Sequence, residues 1–307
     1  MTSPTAIERD GIPIEKGVVL TRQYLDDNEA LFTKYLNFWI LYPDLLLDVI
    51  KRADDTHFNL FFYQRIALRA SMRYRYHFFT ATRATSKSFI AYLGSLMRAI
   101  LLPKSNIMIA SDVKGTVIQI AEAKFNEIFD HWPLLRNELM TRADDGKKGE
   151  KSSGNYYELN FKNGSKITVV SKDSSRGLRA TAAVLEEAAT IEEEPYNEVL
   201  LPQMNIARRE IDGSLNPGEP TSAQTFITTA ASKTVFMYSK LIECAVNAVL
   251  RPNEYFVWGL SYEVPLHYGL LDKATMMDQR YSSTMNDEAF ARKLLREYTV
   301  MYIKKVS

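Results

Sequence analysis

Cysteine is nearly absent from this sequence of 307 residues, in which Cys244 is the only one. A single thiol cannot form an internal disulfide, and four histidines leave little material for a zinc site built from histidine and cysteine. We therefore expect a reducing, cytoplasmic setting. Any metal that the protein binds should have oxygen ligands.

Long apolar runs are also missing, and so is an excess of charge of one sign. No stretch reaches the roughly 20 apolar residues that cross a bilayer, and the first residues, MTSPTAIERDG, lack the layout of a secretory signal. The 38 basic residues are balanced by 37 acidic ones, for a net charge of +1. This balance argues against a protein that coats nucleic acid through its overall charge, whereas a local basic strip stays compatible with it.

The sequence does contain enough apolar material for a large α/β domain, since 46% of its residues are hydrophobic. Aromatic and aliphatic residues at helical spacing over residues 27–53 predict a helical amino-terminal segment, interrupted at Tyr42-Pro43-Asp44. Apolar runs predict strands at residues 77–80, 106–111, 182–185, 225–229 and 255–260, and helices from Lys87 onward and over 113–131. Their β-α-β-α order is typical of a mostly parallel sheet covered by helices.

Four further segments have recognisable patterns. Residues 156–161 and 166–170, joined through Asn163-Gly164, predict a β-hairpin. Residues 141–154 form a polar loop, and the turn-rich residues 211–223 are expected to be mobile. Over residues 286–303, apolar side chains on one face predict an amphipathic helix; they are Phe290, Leu294, Tyr298 and Met301.

The segment ATRATSKS, residues 81–88, follows a predicted strand and opens a predicted helix. In that context the motif G-x-x-x-x-G-K-[ST] cradles phosphates, although Ala81 and Ser86 here replace the glycines. Lys87 would then bridge the β- and γ-phosphates, and the Ser88 hydroxyl would hold Mg²⁺. A helix cap is the commoner reading of such a cluster taken alone. The candidate nucleotide-binding residues of this segment are Ala81, Thr82, Arg83, Ala84, Thr85, Ser86, Lys87 and Ser88.

Arg83 lies four residues before Lys87 within the same loop. A cation at that position can reach the γ-phosphate as charge develops on it, which is the role of an arginine finger supplied in cis. The alternative is an ordinary exposed arginine.

An acidic pair, Glu186-Glu187, ends the predicted strand of residues 182–185. In ATPases with such a strand, the first acid orients Mg²⁺ through its waters and the second polarises the attacking water. Because adjacent strand residues point in opposite directions, the two roles require the chain to turn there. Two solvated glutamates at a helix start are the alternative. The phosphate-loop lysine upstream in the same β-α-β chain favours the catalytic interpretation.

Two polar positions complete the candidate site. Gln64 has the paired donor and acceptor that can read the edge of adenine, and Thr228 and Thr229 end a strand at a place where they can report loss of the γ-phosphate. A surface glutamine and an ordinary polar strand end are the alternatives.

Taken in this order, the pieces resemble the large terminase family of tailed viruses. The resemblance runs from residue 60 to residue 300 and includes Tyr63-Gln64-Arg65, the loop with Arg83 and Lys87, residues 111–119, Arg176-Gly177, Glu186-Glu187, residues 199–202, residues 228–232 and Arg296-Glu297-Tyr298. It implies a P-loop NTPase fold of the additional-strand, RecA-like type, with a mostly parallel central sheet flanked by helices. The implied division is a helical segment over residues 1–55, the ATPase core over 56–260, and a helical part over 261–307.

The resemblance also implies a function, that of a motor that hydrolyses ATP with Mg²⁺ and translocates double-stranded DNA into a procapsid. The implied residues are Glu187, Arg83 and Lys87 for catalysis, Gln64 for adenine, Ser88 and Glu186 for Mg²⁺, and Thr228 and Thr229 for coupling. The implied partners are DNA, the portal of the procapsid, the small terminase subunit and further copies in a ring, expected to be pentameric. Location in the host cytoplasm, outside the mature virion, follows, with no membrane partner. Because the chain ends at Ser307, the nuclease activity of full-length members is not expected in it.

Two departures from the family pattern leave alternatives open, namely the glycine-poor loop and Glu186 where most members have aspartate. One alternative is another P-loop DNA motor of helicase type, although no second P-loop is visible. The other is a nucleotide-binding structural protein that no longer hydrolyses ATP. Contact with DNA phosphates is expected from basic residues, and the candidates are Lys147, Lys148, Lys151, Arg208 and Arg209. No base-reading motif is present.

Overall fold

The computed structural model describes residues 27–50, 58–111, 116–141, 149–153, 156–171, 177–229 and 234–281. Its strands are β1 (Tyr76–Ala81), β2 (Asn106–Ser111), β3 (Glu150–Ser152), β4 (Tyr156–Asn160), β5 (Lys166–Ser171), β6 (Ala182–Glu186), β7 (Ala223–Thr228) and β8 (Tyr255–Leu260). Its α-helices are α1 (Glu29–Leu41), α2 (Pro43–Val49), α3 (Phe62–Arg73), α4 (Lys87–Leu101), α5 (Thr116–His131), α6 (Pro133–Arg136), α7 (Leu201–Gln203), α8 (Val235–Leu250), α9 (Glu263–His267) and α10 (Lys273–Tyr281).

The strands form one sheet in the order β3-β4-β5-β2-β6-β7-β1-β8. The pairs β3–β4 and β4–β5 are antiparallel, and every other neighbouring pair is parallel. Strand β7 lies between β1, which leads into the phosphate-loop segment, and β6, which carries the acidic pair. That intervening strand defines the additional-strand type of P-loop fold, so the predicted fold class is confirmed. The parallel order brings the carboxyl ends of β1, β6 and β7 to one edge of the sheet.

Two layers of apolar side chains cover the sheet, one on each face. Successive strand residues point to opposite faces, so Phe79 packs in one core cluster and Phe78 in the other. The first cluster contains residues of α3, α4 and α5, and the second contains residues of α8 and of the π-helix Pro195–Leu200. Because both faces are covered, the parallel strands are continuous apolar runs such as IMIA at residues 107–110.

Ion pairs hold the amino-terminal helices against the core. Asp44 of α2 is fully buried and binds Arg69 at 2.6 Å and Arg65 at 3.3 Å. The neighbouring Asp48 binds Arg65 at 2.6 Å. The helices predicted within residues 27–53, with a break at Tyr42, are thus confirmed for α1 and α2. The proposed domain limits stay a prediction.

The short strand β3 lies within the segment that the sequence predicted to be a polar loop. It pairs with β4, and its Lys151 forms an ion pair with Glu158 at 3.1 Å. A polar strand of three residues gives no apolar signal, which is why it was missed. Residues 142–148 of the same segment lie outside the described residues.

Buried ion pairs anchor the turn-rich segment before β7. Arg208, with only 3% of its side chain exposed, binds Glu219 at 2.5 Å and Glu210 at 2.6 Å, and the buried Arg98 of α4 contacts Glu219 at 3.4 Å. The predicted turns are present. The sequence did not reveal these anchors, because ion pairs between distant residues leave no local pattern. The mobility expected for residues 211–223 stays a prediction.

The helices α9 and α10 follow β8, and the helix predicted over residues 286–303 lies outside the described residues. Within the described ranges, every helix is too short or too polar to cross a membrane.

Candidate nucleotide site

In the loop between β1 and α4, two side chains donate hydrogen bonds to the same backbone carbonyl. The Thr85 hydroxyl and the Lys87 Nζ both donate to the carbonyl oxygen of Thr82, at 2.7 Å and 2.8 Å. The backbone N–H of Thr82 donates in turn to the carbonyl of Leu260 at the end of β8, at 3.3 Å. The loop is therefore curled at the amino terminus of α4, where the first N–H groups of a helix have no helical partner and attract anions.

Two residues of this loop have a left-handed backbone. Ser86, at one of the expected glycine positions, has φ 53°, and Ala84 has φ 64°. A residue with a side chain loses about 1 kcal/mol or more in this region. Ala81, at the other glycine position, is the last residue of β1 and is fully buried. The strain expected from the missing glycines therefore falls on Ser86 and not on Ala81, while Ala84 adds a second left-handed residue at a position where the motif does not call for glycine.

Lys87 is buried, with 9% of its surface exposed. Burial lowers the pKa of its amine to about 8, while the charges of Glu187 and Glu186 act in the opposite direction. The structure therefore brings the loop lysine close to both acids of the pair, as the candidate site requires. The exposed Arg83 is near enough for its charge to lower the pKa of Lys87 further.

Glu186 ends β6 and is buried, with 7% exposed. Burial raises the pKa of its carboxyl, and hydrogen bonds from the hydroxyls of Ser88 and Tyr92 partly offset this. The Tyr92 hydroxyl donates to Oε2 of Glu186 at 3.2 Å. The alternative of a solvated glutamate is thereby excluded for Glu186. Tyr92 was not among the predicted site residues, although its position four residues after Ser88 places both on one face of α4.

The chain turns at Glu187, which has φ 49° and ψ 43° and precedes the 3₁₀ turn Ala188–Thr190. This is the turn that two separate roles for the adjacent acids required. The carboxylate of Glu187 accepts a hydrogen bond from the Thr229 hydroxyl at 2.6 Å and a longer one from the Thr229 N–H at 3.4 Å.

The coupling candidates lie at the end of β7. Thr228 is its last residue and is paired in register with Thr80 of β1, and both are buried. Thr229 follows and is the residue that holds Glu187. The sequence placed Thr229 beside the γ-phosphate but did not reveal this contact, which joins two residues 42 positions apart.

Gln64 lies in the first turn of α3 and is buried. Its Oε1 accepts a hydrogen bond from the Phe61 N–H at 2.8 Å, so its amide nitrogen is the atom left for an adenine base. The neighbouring Tyr63 is also buried, and burial raises the pKa of its hydroxyl to about 12, with a smaller, opposing effect from Ser86. The start of α3 therefore lies against the phosphate-loop segment.

The oxygen atoms of Ser88 and Glu186 suit Mg²⁺, which binds hard oxygen ligands. Across the described parts of the chain, no three or more side chains of His, Cys, Asp or Glu cluster as a metal cage. Mg²⁺ bound together with a nucleotide needs no such cage, because one or two protein oxygens, phosphates and waters complete its shell. The residues present therefore fit a nucleotide-bound Mg²⁺.

The structure describes three of the five basic residues that were predicted to contact DNA. Arg208 is wrong as a DNA contact, because its guanidinium is buried and neutralised by Glu219 and Glu210. Arg209 is exposed, with one nitrogen on the carbonyl of Gly213 at 2.9 Å. Lys151 is partly exposed on β3. Lys147 and Lys148 lie outside the described residues.

Solved structures with this fold include phage large terminases. The ATPase domain of the large terminase of Thermus phage P74-26 aligns over 92% of this chain and 99% of that domain, with a TM-score of 0.52 and 12% identity. The large terminase of another thermophilic bacteriophage aligns with a TM-score of 0.51 and 13% identity, over 78% of this chain and 54% of the phage protein. This chain thus matches about half of that second terminase.

No family model matches the sequence, and no curated protein is similar to it in sequence. At 12–13% identity the two structural likenesses establish the fold. The resemblance to large terminases that the sequence indicated is confirmed at that level.

Proposed function

We propose that this chain is the ATPase motor domain of a phage large terminase, which hydrolyses ATP to drive double-stranded DNA into a procapsid. The observation that carries the proposal is the parallel order of β6, β7 and β1, which brings the Glu186-Glu187 pair and Lys87, six residues after β1, to the same end of the sheet. The charges of both acids act on the Lys87 amine. The likeness of the fold to the two phage terminases supports it.

The loop of residues 81–88 and Gln64 bind ATP. The N–H groups at the start of α4 hold the phosphates, and Lys87 exchanges the carbonyl of Thr82 for a phosphate oxygen. The Ser88 hydroxyl and, through water, the Glu186 carboxylate would hold Mg²⁺, which would offset the negative charge of the phosphates.

Hydrolysis falls to Glu187, which polarises the water that attacks the γ-phosphate. Because the chain turns at this residue, its carboxylate is separated from that of Glu186. Arg83 extends from the exposed tip of the loop and stabilises the negative charge of the transition state.

Coupling to movement falls to Thr229 and Thr228. The Thr229 hydroxyl is bonded to Glu187 at 2.6 Å, so a shift of the Glu187 carboxylate on loss of the γ-phosphate would change that bond. That change passes to the end of β7 and to the chain after it. The partners of this motor are double-stranded DNA, the portal, the small terminase subunit and other copies in a pentameric ring, within the host cytoplasm.

Phosphate release from Mg-ATP tests the proposal, measured together with nucleotide binding. We expect the unaltered protein to bind ATP and release phosphate, slowly where the ring and portal are absent. Lys87→Ala should abolish binding, and Glu187→Gln should bind but not hydrolyse. Glu192→Gln is the matched control, because Glu192 is exposed nearby and should leave both measurements unchanged.

Hydrolysis by Glu187→Gln at the parental rate would show that the general base is assigned wrongly. Binding without any hydrolysis by the unaltered protein would instead favour the nucleotide-binding structural protein. Against that second outcome, the loop keeps its left-handed residues Ala84 and Ser86 at a cost in stability, and Glu187 is held in place by Thr229.

A further inference from the structure

The acid that ends β6 is a glutamate, and its carboxylate extends one C–C bond, about 1.5 Å, beyond that of an aspartate. In the structure this extra length carries Oε2 of Glu186 to the hydroxyl of Tyr92, at 3.2 Å. Ser88 and Tyr92 are four residues apart on α4, so they lie one above the other on the same face of the helix. Tyr92 is hydrogen-bonded to Glu186, and the nearby Ser88 hydroxyl lowers the pKa of that carboxyl.

The contact between Tyr92 and Glu186 is enclosed. Tyr92 has no exposed surface and Glu186 has 7%. The ring of Tyr92 packs edge-on against Phe125 of α5, with ring centres 5.1 Å apart, which fixes the direction of the hydroxyl. A buried hydroxyl and a buried carboxylate both need hydrogen-bond partners, and here each supplies the other.

We propose that Tyr92 is a positioning residue for Mg²⁺-nucleotide binding, whose hydroxyl holds Oε2 of Glu186 so that the other carboxylate oxygen faces the hydrated ion. The inference rests on the proposed nucleotide site. It explains why position 186 has a glutamate where most large terminases have an aspartate, because an aspartate there would end short of Tyr92. Tyr92 contacts neither the nucleotide nor the ion, and it acts only through Glu186.

The test is calorimetric binding of a non-hydrolysable ATP analogue, with Mg²⁺ and with EDTA in its place. Tyr92→Phe removes the hydroxyl but keeps the ring that packs on Phe125. We expect Tyr92→Phe to weaken binding in Mg²⁺ about 10-fold, in the range for the loss of a group that orients a metal ligand, and to leave binding in EDTA unchanged. Tyr157→Phe is the matched control, because it removes another buried tyrosine hydroxyl that binds a glutamate, Glu150, away from the site.

A double-mutant cycle separates positioning from packing. If Tyr92 acts through the length of Glu186, Tyr92→Phe should have no further effect on Mg²⁺-dependent binding once Glu186→Asp is present. Additive effects of the two changes would overturn the inference. Equal loss of binding in Mg²⁺ and in EDTA, or a lowered melting temperature with unchanged binding, would also overturn it and leave Tyr92 a purely structural residue.

The failure of this inference differs from failure of the proposed function. If Tyr92→Phe binds the nucleotide in Mg²⁺ as tightly as the unaltered protein does, only the role of Tyr92 is contradicted. If the unaltered protein binds no nucleotide, in Mg²⁺ and in EDTA alike, the role of Tyr92 and the proposed function are both contradicted.

Discussion

At the scale of single residues, the site combines groups whose charged forms are unfavourable where they are buried. Lys87 is the clearest case, because burial lowers the pKa of its amine from 10.5 to about 8 in spite of two nearby carboxylates. A lysine in that state destabilises the folded protein, although its Nζ donates to the Thr82 carbonyl, and a bound phosphate would add a negatively charged partner. Such a trade between stability and function is common at binding sites.

Replacing Lys87 should therefore stabilise the protein while removing its function. We expect Lys87→Met to raise the free energy of unfolding at pH 7 by about 1–2 kcal/mol. The folded pKa lies below the unfolded one, so the cost of the buried amine is fully present below pH 8 and disappears as the pH rises to 10.5. The gain should shrink over that interval in urea denaturation measured at several pH values. A gain that is constant with pH, or a loss at pH 7, would contradict the lowered pKa.

The sequence predicted the residues of the candidate site but not the contacts among them. Lys87 and the pair Glu186-Glu187 were predicted because each lies in a local pattern, a helix start and a strand end. The bonds of Glu186 to Tyr92 and of Glu187 to Thr229 join residues 94 and 42 positions apart. No local pattern reports such contacts, because they depend on how β1, β6 and β7 are ordered in the sheet.

At the scale of elements, α4 and β7 are connected at the end of the sheet opposite the nucleotide site. Glu219 lies between the guanidinium groups of Arg98 and Arg208, whose side chains are 4% and 3% exposed. Through it, the end of the helix that begins with Lys87 is tied to the segment that leads into β7. The sequence predicted α4 and β7 from their apolar residues, but this polar connection between them was not foreseen.

Removing Glu219 should be costly, because it leaves the buried Arg98 without its carboxylate partner and the buried Arg208 with Glu210 alone. We expect Glu219→Ala to lower the free energy of unfolding by about 3–5 kcal/mol, in the range for breaking a buried ion pair. The matched control is Glu254→Ala, which removes an exposed glutamate 3.8 Å from Arg75 and should cost less than about 1 kcal/mol. If chemical denaturation showed equal losses for the two changes, the buried ion pairs of Glu219 would contribute no more to the free energy of unfolding than a surface ion pair does.

At the scale of the whole molecule, the strand order explains why one edge of the sheet collects the candidate site. The sequence predicted a parallel sheet with β1 and β6 in it, since buried parallel strands are apolar runs. Local patterns could not supply the position of β7 between them, which only the family resemblance implied, because it follows from pairings between distant segments. The polar strand β3 also escaped prediction, because an edge strand of three residues carries no apolar pattern.

In the ring expected for a packaging motor, the catalytic arginine can come from the same subunit as the nucleotide or from a neighbouring subunit. Arg83 is exposed at the loop tip, so it can serve its own nucleotide. We expect Arg83→Ala to slow ATP turnover by roughly 10³–10⁵-fold, the range for arginine fingers, with little change in nucleotide affinity. Arg209→Ala, at another exposed arginine, is the control. Unchanged turnover in Arg83→Ala would mean that a neighbouring subunit supplies the catalytic arginine.

The nucleotide site is tested most directly by a crystal structure with Mg²⁺ and a non-hydrolysable ATP analogue. We expect residues 81–88 to surround the phosphates and the Nζ of Lys87 to leave the Thr82 carbonyl and bind the terminal phosphate at about 3 Å. We also expect the Glu187 carboxylate on the far side of that phosphate, within reach through one water. A nucleotide bound elsewhere, or phosphates that contact neither Lys87 nor the water held by Glu187, would show that the site is assigned wrongly.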